Sequence, residues 1–489
     1  MASTRSNYIY NILYRLSICV LPLVITPFSA RVLGSEGVGL YSFSSAVACY
    51  FIMFGKLGLD HYGNRTIACC RHDQSQLQRT FWSIYAMQAF TAIASFLLYL
   101  LVIHAAFQKE LMIYWMQALY VLSALFDVSW FFYGTEQFRI TTIRSLIIRG
   151  LIIIGMFIFV HTQDDLWIYT LIMSACFLLE QLLLIPFILR QVKPVKITWH
   201  DVSVHILPNL KLFLPLIALS VYNWMDKLML GVMAGNEPVA FYNYADSIIN
   251  LPKGIVAALG TVMLPRLSQM AARRDIDSCR TTLRQSMCFI NMVCCALCFG
   301  IAGVAPVFVP FFLGPDFTET VRLTIYLALV MIPMSIIDVV QMQYLVPFGK
   351  EGVYIRSVAL GAVTNLVLNG LFIPHMSAAG AVIGTFGAQL MVCGYQLYHI
   401  RSVYHIRELS RALWPFFLCG MAEFAVAYAL GFLSLPPLVL LMVQVIAAGG
   451  IYVIGVAGMI LTIRKDLKGM FAIFTSGNTK PPHSEDASK

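Results

Sequence analysis

The chain has 489 residues, 59% hydrophobic and only 12% charged, with a mean hydropathy of +0.77. Soluble domains run at about 45–50% apolar and about 25% charged, so this balance excludes a soluble protein. The net charge of +9 does not point to nucleic acid either, because the basic residues fall in short bursts between apolar runs rather than on one continuous face.

A hydrocarbon core about 30 Å thick takes about 20 apolar helical residues to cross. Fourteen such runs follow one another: 8–33, 37–58, 80–105, 111–133, 142–160, 166–189, 209–233, 241–264, 285–312, 321–346, 355–373, 378–400, 412–433 and 437–462. They are long, rich in Leu, Ala and Met, and lack the ten-residue alternation of a barrel strand. The expected fold is therefore an all-α polytopic membrane protein with about 14 transmembrane helices. Arg15 interrupts the first run, and Pro22 and Pro27 predict a kinked first helix that is kept rather than cleaved as a signal peptide. The polar stretch 476–489 is expected to be a disordered cytoplasmic tail.

The basic residues give an orientation. With the N-terminus in the cytoplasm and sides alternating, 27 of the 33 Lys and Arg residues fall on inner segments. Three (Arg31, Lys109 and Arg322) fall on outer loops, and three (Arg15, Lys227 and Lys253) remain inside spans. Such an asymmetry follows the positive-inside rule and places both termini in the cytoplasm. The twelve cysteines sit mostly inside spans, as in Cys294, Cys295 and Cys298, and read as small packing residues. The ten histidines have no metal-like spacing.

An internal repeat organises the chain. LGSEGVGLYSF (33–43) aligns with AGNEPVAFYNY (234–244) at an offset of 201, which also places Arg65 on Arg266 and Arg79 on Arg280. DVSWFFY (127–133) matches DVVQMQY (338–344) at offset 211, and the IRS at 143–145 matches that at 355–357 at offset 212. The unit covers six spans, an even number, so both copies face the same way. The expected architecture is two parallel-repeat six-helix bundles, residues 1–200 and 201–405, with a substrate path between them. Two additional helices in 406–475 lie outside the duplication.

The stretch WMDKLMLGVMAGNEPVAFYNYADSI (224–248) followed by VMLPRLS (262–268) resembles the seventh and eighth helices of polysaccharide-transport flippases. SARVLGSEGVGLYSF (29–43) and AAGAVIGTFGAQL (378–390) resemble other parts of the same proteins. The likeness is to the Wzx-type branch of the superfamily that also contains the MATE drug exporters and the lipid II flippases, and it covers nearly the whole chain. It implies movement of undecaprenyl-pyrophosphate-linked oligosaccharide from the inner to the outer leaflet of the bacterial cytoplasmic membrane, for surface polysaccharide assembly. The implied partners are that lipid-linked oligosaccharide, membrane lipid and other polysaccharide-assembly membrane proteins.

A charge at mid-helix costs about 2.5–3.5 kcal/mol on insertion scales, so each one inside a span needs a reason. Charges present in both repeats (Glu36/Glu237, Arg65/Arg266, Asp127/Asp338 and Arg144/Arg356) are expected to serve the shared scaffold, as structural ion pairs or loop residues. Unrepeated charges are the substrate candidates. Asp246, Asn250 and Lys253 sit at i, i+4 and i+7, on one helical face, opposite Ser45, Cys49 and Ile52 at offset 201. Lys253 is expected about 18 Å deep at ~1.5 Å per residue, facing a polar cavity and attracting an anionic headgroup. Arg15, with Asn7 and Asn11, either receives pyrophosphate at the cytoplasmic entrance or snorkels. Arg149 and Glu180 are candidates to pair with each other; Arg149 joins the substrate-binding set, while Asp226, Asp246 and Glu180 are candidate carriers of a coupling ion. Asp226 is equally a candidate for a local pair with Lys227, and Glu423 is assigned a role peripheral to the duplicated core. Gly380, Gly384 and Ala388 form a close helix-packing stripe rather than a nucleotide loop. No Walker sequence is evident, so neither ATP hydrolysis nor a cofactor is expected.

Two other readings compete. A MATE-like multidrug exporter prefers an acidic cavity, whereas Lys253 and Arg15 favour an anionic ligand. A membrane polysaccharide polymerase or glycosyltransferase commonly uses sizeable extracytoplasmic loops, and the longest obvious outer loop, GPDFTET (314–320), carries no acid–base–nucleophile set.

Overall fold

The computed structural model describes residues 4–220, 224–272, 276–401 and 406–462, with side-chain detail outside 4–20, 255–266, 406–412 and a few single positions. The described residues are helical almost throughout and contain no strand. In chain order the helices are α1 (Thr4–Lys56), α2 (Leu59–Cys70), α3 (Gln74–Ala106), α4 (Leu111–Phe126), α5 (Ser129–Gly134), α6 (Phe138–Phe159), α7 (Leu166–Leu182), α8 (Ile185–Gln191) and α9 (Trp199–Ser220). They continue as α10 (Asp226–Met233), α11 (Asn236–Ala272), α12 (Ile276–Leu313), α13 (Thr318–Val340), α14 (Glu351–Met376), α15 (Ala378–Ile400), α16 (Ile406–Leu430) and α17 (Pro437–Thr462).

Among the described residues, eleven helical stretches are long and apolar enough to cross a membrane. The first, Leu21–Cys70, takes in two of the fourteen expected spans, and the runs 209–233 and 241–264 each contain undescribed positions. A straight helix of 53 residues would reach about 80 Å at 1.5 Å per residue, far beyond the hydrocarbon. The chain instead breaks at Gly34 (φ 69°), in the left-handed region that favours glycine. Gly235 (φ 90°) stands 201 residues on and has the same sign of φ.

Two compact units emerge from the packing: Met1–Tyr244 with Phe312–Thr318 and Asn365–Gly384, and Ala245–Phe311 with Glu319–Thr364 and Thr385–Lys489. In the first unit an apolar cluster gathers Leu59, Ile67, Phe81, Ile84, Trp130, Phe131 and Leu184. Phe81 stacks on Trp130 with centroids 5.4 Å apart. The chain there interrupts its helix between α4 and α5, which frees backbone carbonyls that hydrocarbon cannot satisfy. Gln88 meets the need: its Nε2 donates to the carbonyls of Ala124 (2.7 Å) and Asp127 (2.9 Å), while its Oε1 accepts from Trp130 Nε1 (3.0 Å). The outward faces of α3 and α6 carry Phe90, Leu97, Leu101, Ile154 and Phe157 fully in the open, as lipid contact requires.

The second unit joins α12, α16 and α17 through small residues. A side chain at Gly303 would collide with Ala427, and one at Gly420 with Phe299. Tyr452 donates to the Met292 carbonyl at 2.6 Å, and Gln444 to that of Ala427 at 2.7 Å. The two helices beyond the duplication are therefore bound tightly to α12. Glu423, expected to be peripheral, is instead only 5% exposed, with its carboxylate against Gly300. Small residues on both helices bring α16 close enough to enclose it. The cysteines at 279, 288, 294, 295 and 298 are all buried along α12.

Candidate functional site

Among the described residues, four clusters around charged side chains bear on the expected sites. On α11, helical spacing brings the expected triad together. Asn250 Nδ2 donates to Asp246 at 3.0 Å, Lys253 Nζ donates to Asn250 Oδ1 at 3.1 Å, and Lys253 reaches Asp246 at 3.6 Å. The two charged side chains retain 21% and 24% of their surface. Asp338 of α13 lies within electrostatic reach of Lys253.

In the first unit Lys56, at the end of α1, donates to Asp127 at 2.6 Å and to Asp60 at 2.7 Å. The other oxygen of Asp127 accepts from the backbone N–H (3.0 Å) and hydroxyl (2.6 Å) of Ser129, closing the α4–α5 break. Asp127 thus serves the scaffold as expected, with Lys56 as its ion partner. Its repeat mate Asp338 likewise sits near a lysine. Offset 201 pairs Lys253 with Ile52, and Lys56 lies one helical turn beyond that position.

Glu180 on α7 accepts from Arg144 (3.2 Å) and from the hydroxyl of Ser145 (2.5 Å). The expected Arg149–Glu180 pair is replaced by Arg144–Glu180. Arg149 lies five residues further along α6, roughly 140° around the helix axis from Arg144, and is half-buried. Arg356, repeat mate of Arg144, is exposed and bonds the Gly352 carbonyl of its own helix at 2.9 Å. Arg15 lies on α1, but its side chain, like those of Asn7, Asn11 and Arg266 and the whole 476–489 stretch, falls outside the described residues.

The fourth cluster centres on Asp226, the first residue of α10 and only 3% exposed. Its carboxylate accepts from Tyr242 Oη (2.5 Å), Asn365 Nδ2 (3.1 Å) and Asn369 Nδ2 (2.6 Å). Asn369 also donates to Asn365 Oδ1 at 3.2 Å, and its own Oδ1 is buried without a hydrogen-bond donor. These donors offset part of the cost of burying the carboxylate. The two asparagines went unread in the sequence. Their signal was an amide pair four residues apart, NLVLN (365–369), in an otherwise apolar span.

Among the described residues, two cavities of the first unit carry charged side chains. One, about 260 Å³, is lined by Lys56, Asp60, Tyr120, Ser220 and Trp224 among others. The other, about 1040 Å³, is lined by the repeat-related segments around Gly34 and Gly235 and carries Glu36, Glu110, Glu237 and Asp316. There the two copies of the motif touch: Ser35 Oγ donates to Glu237 at 2.9 Å, and Gly39 packs directly on the Asn236 carbonyl.

Comparison with known proteins fits this arrangement. The chain is 22% identical over 404 residues to a protein of Escherichia coli (strain K12) named "Putative O-antigen transporter", covering 82% of this chain and 97% of that one. A Shigella dysenteriae protein of the same name is 21% identical over 383 residues, covering 77% and 94%. The structure of the lipid II flippase MurJ in its inward closed conformation matches with a TM-score of 0.76 at 14% identity, over 93% of this chain and 99% of that one. An inward-facing multidrug resistance MATE family transporter matches at 0.59 with 13% identity, over 85% and 98%. These likenesses establish the fold. The sequence profile of the family described as "Polysaccharide biosynthesis protein" matches residues 4–271, more than half of the chain, and the protein accordingly belongs to that family.

Proposed function

We propose that the protein is a flippase that carries undecaprenyl-pyrophosphate-linked oligosaccharide units, of the O-antigen type named for its relatives, across the bacterial cytoplasmic membrane. A pyrophosphate bearing several sugars cannot cross hydrocarbon unaided, since each unpaired polar group costs several kcal/mol. Alternating access between the 1–200 and 201–405 repeats, with both termini cytoplasmic, carries the headgroup while the polyprenyl chain stays in lipid. The observation that carries this reading is a set of charges held inside apolar helices in a chain of this family. Lys253, positioned by Asp246 and Asn250, attracts the diphosphate; Arg15 and Arg149 are further cationic contacts along its path.

Asp226 is the better candidate for ion coupling, because Glu180 is already engaged by Arg144. Asp226 is a buried carboxylate gathered with the side chains of Tyr242, Asn365 and Asn369, a set of oxygen and amide groups that suits binding of a proton or a monovalent cation. The test is reconstitution in proteoliposomes with a defined lipid-linked oligosaccharide. Wild-type protein should flip it, faster under an imposed proton or sodium gradient, and Asp226→Asn should lose the response to the gradient. Flipping that ignores both gradients in the wild-type protein would overturn the coupling, and absence of flipping would overturn the function.

One observation favours a second reading. The 1040 Å³ cavity with its four carboxylates suits an organic cation, as in a MATE-like cation-coupled exporter. Gradient-driven efflux of ethidium from cells expressing the protein would support that reading. The family match and the two helices beyond the repeats favour the flippase.

A further inference from the structure

We propose that the cavity beside Lys56 is a binding subsite for a single neutral pyranose ring of the transported glycan. The inference rests on the flippase reading and adds a sugar-recognition site to it.

The cavity combines three features that a sugar ring uses. Trp224 and Tyr120 line it. Tyr50 meets Trp224 edge-on with centroids 5.7 Å apart, and Phe177 stacks on Tyr120 at 4.7 Å, so both rings are held in place. A pyranose presents an apolar C–H face, and an aromatic ring fixed by its neighbours offers the matching surface at little entropic cost. Asp60 also lines the cavity, with 60% of its side chain exposed. One of its oxygens accepts from Lys56, which leaves lone pairs for the vicinal hydroxyls of a sugar. Lys56 uses two of its three N–H groups on Asp60 and Asp127, and the third can donate to a hydroxyl oxygen.

Charge and size select the ligand. The lining carries one ammonium and one carboxylate, and the ammonium is already held by Asp60 and Asp127 at 2.7 and 2.6 Å, so no unpaired lining cation is left to draw a diphosphate or a uronic acid. The diphosphate therefore belongs elsewhere, and a neutral ring belongs here. The volume of about 260 Å³ falls just under the roughly 300 Å³ at which pockets begin to take drug-sized ligands. It accommodates one ring, with the rest of the oligosaccharide outside.

The experiment compares two ligands on the detergent-purified full chain. One is undecaprenyl pyrophosphate bearing a neutral hexose tetrasaccharide, and the other is bare undecaprenyl pyrophosphate. Wild-type protein should bind the glycosylated lipid about tenfold more tightly. Trp224→Ala and Asp60→Asn should each remove most of that difference without changing affinity for the bare lipid, which also shows that the variants are folded. Trp224→Phe should keep at least half of the difference. Equal affinity of the wild-type protein for the two lipids, or equal weakening of both by Trp224→Ala, overturns the subsite and leaves the flippase reading standing. Failure of the wild-type protein to bind either lipid overturns both.

Discussion

Lys56 and Lys253 each lie near one of the repeat-related aspartates, Asp127 and Asp338, and are treated differently by their surroundings. Lys56 is closed by two carboxylates at 2.6 and 2.7 Å, one of them fixed in turn by Ser129. Lys253 has one carboxylate at 3.6 Å and one amide, with Asp338 within electrostatic reach. The first arrangement spends its ammonium on the scaffold at a helix break. The second leaves its ammonium partly unneutralised on the face of an otherwise apolar helix. The number and distance of their partners leave Lys253 the less closely paired of the two.

The contrast can be tested by removing partners. Asp127→Asn leaves Lys56 with a single carboxylate and weakens the anchor of the α4–α5 break. Removing one partner of a buried pair costs about 3–5 kcal/mol, and a large drop in melting temperature of the purified protein should record it. Lys253→Ala should leave the melting temperature within a few degrees of wild type and lower the flipping rate at least tenfold, with partial rescue by Lys253→Arg. A wild-type rate in Lys253→Ala would erase the distinction between the two lysines. Asp246→Asn should be milder still. A pair at 3.6 Å with a fifth to a quarter of its surface exposed contributes under about 1 kcal/mol, so stability should hold while affinity for bare undecaprenyl pyrophosphate rises severalfold.

The smallest effect is expected far from both lysines. Asp73 caps α3 by accepting from the hydroxyl and N–H of Ser75 and the N–H of Gln76, and these bonds hold its carboxyl below the usual carboxylate range. Because the folded value lies below the unfolded one, the cap contributes fully above the unfolded carboxylate range and is lost as pH falls through the folded value. Asp73→Ala should therefore lower the melting temperature slightly at neutral pH and flatten its acid-side slope. An unchanged slope would remove Asp73 from the account.

Spans and repeat were legible in the sequence because both are periodic or local. An apolar run of about 20 residues announces itself without knowledge of its neighbours, and the offset of 201 reappeared as two left-handed glycines, Gly34 and Gly235. The α11 triad was legible for the same reason, since i, i+4 and i+7 share a face of any helix. Partners on different helices were not. Arg144 and Arg149 look equally suited to Glu180 in the sequence, and the rotational setting of α6 against α7 decides between them. Asn365 and Asn369 acquire meaning only from Asp226, which lies 139 and 143 residues away. Lys56 escaped notice because its partner Asp127 lies 71 residues away in the sequence.

Gly384, read from the sequence as a packing residue, also governs chemistry at a distance. The orphaned Oδ1 of Asn369 rests directly on its backbone, where even a methyl group would collide. That close fit leaves the Asn369 amide the room it needs to reach Asp226 with its NH₂. A residue without a side chain thus sets the space in which a buried carboxylate is solvated by its neighbours. Enlarging it would displace a donor rather than delete it, while every polar residue of the cluster stayed in the sequence.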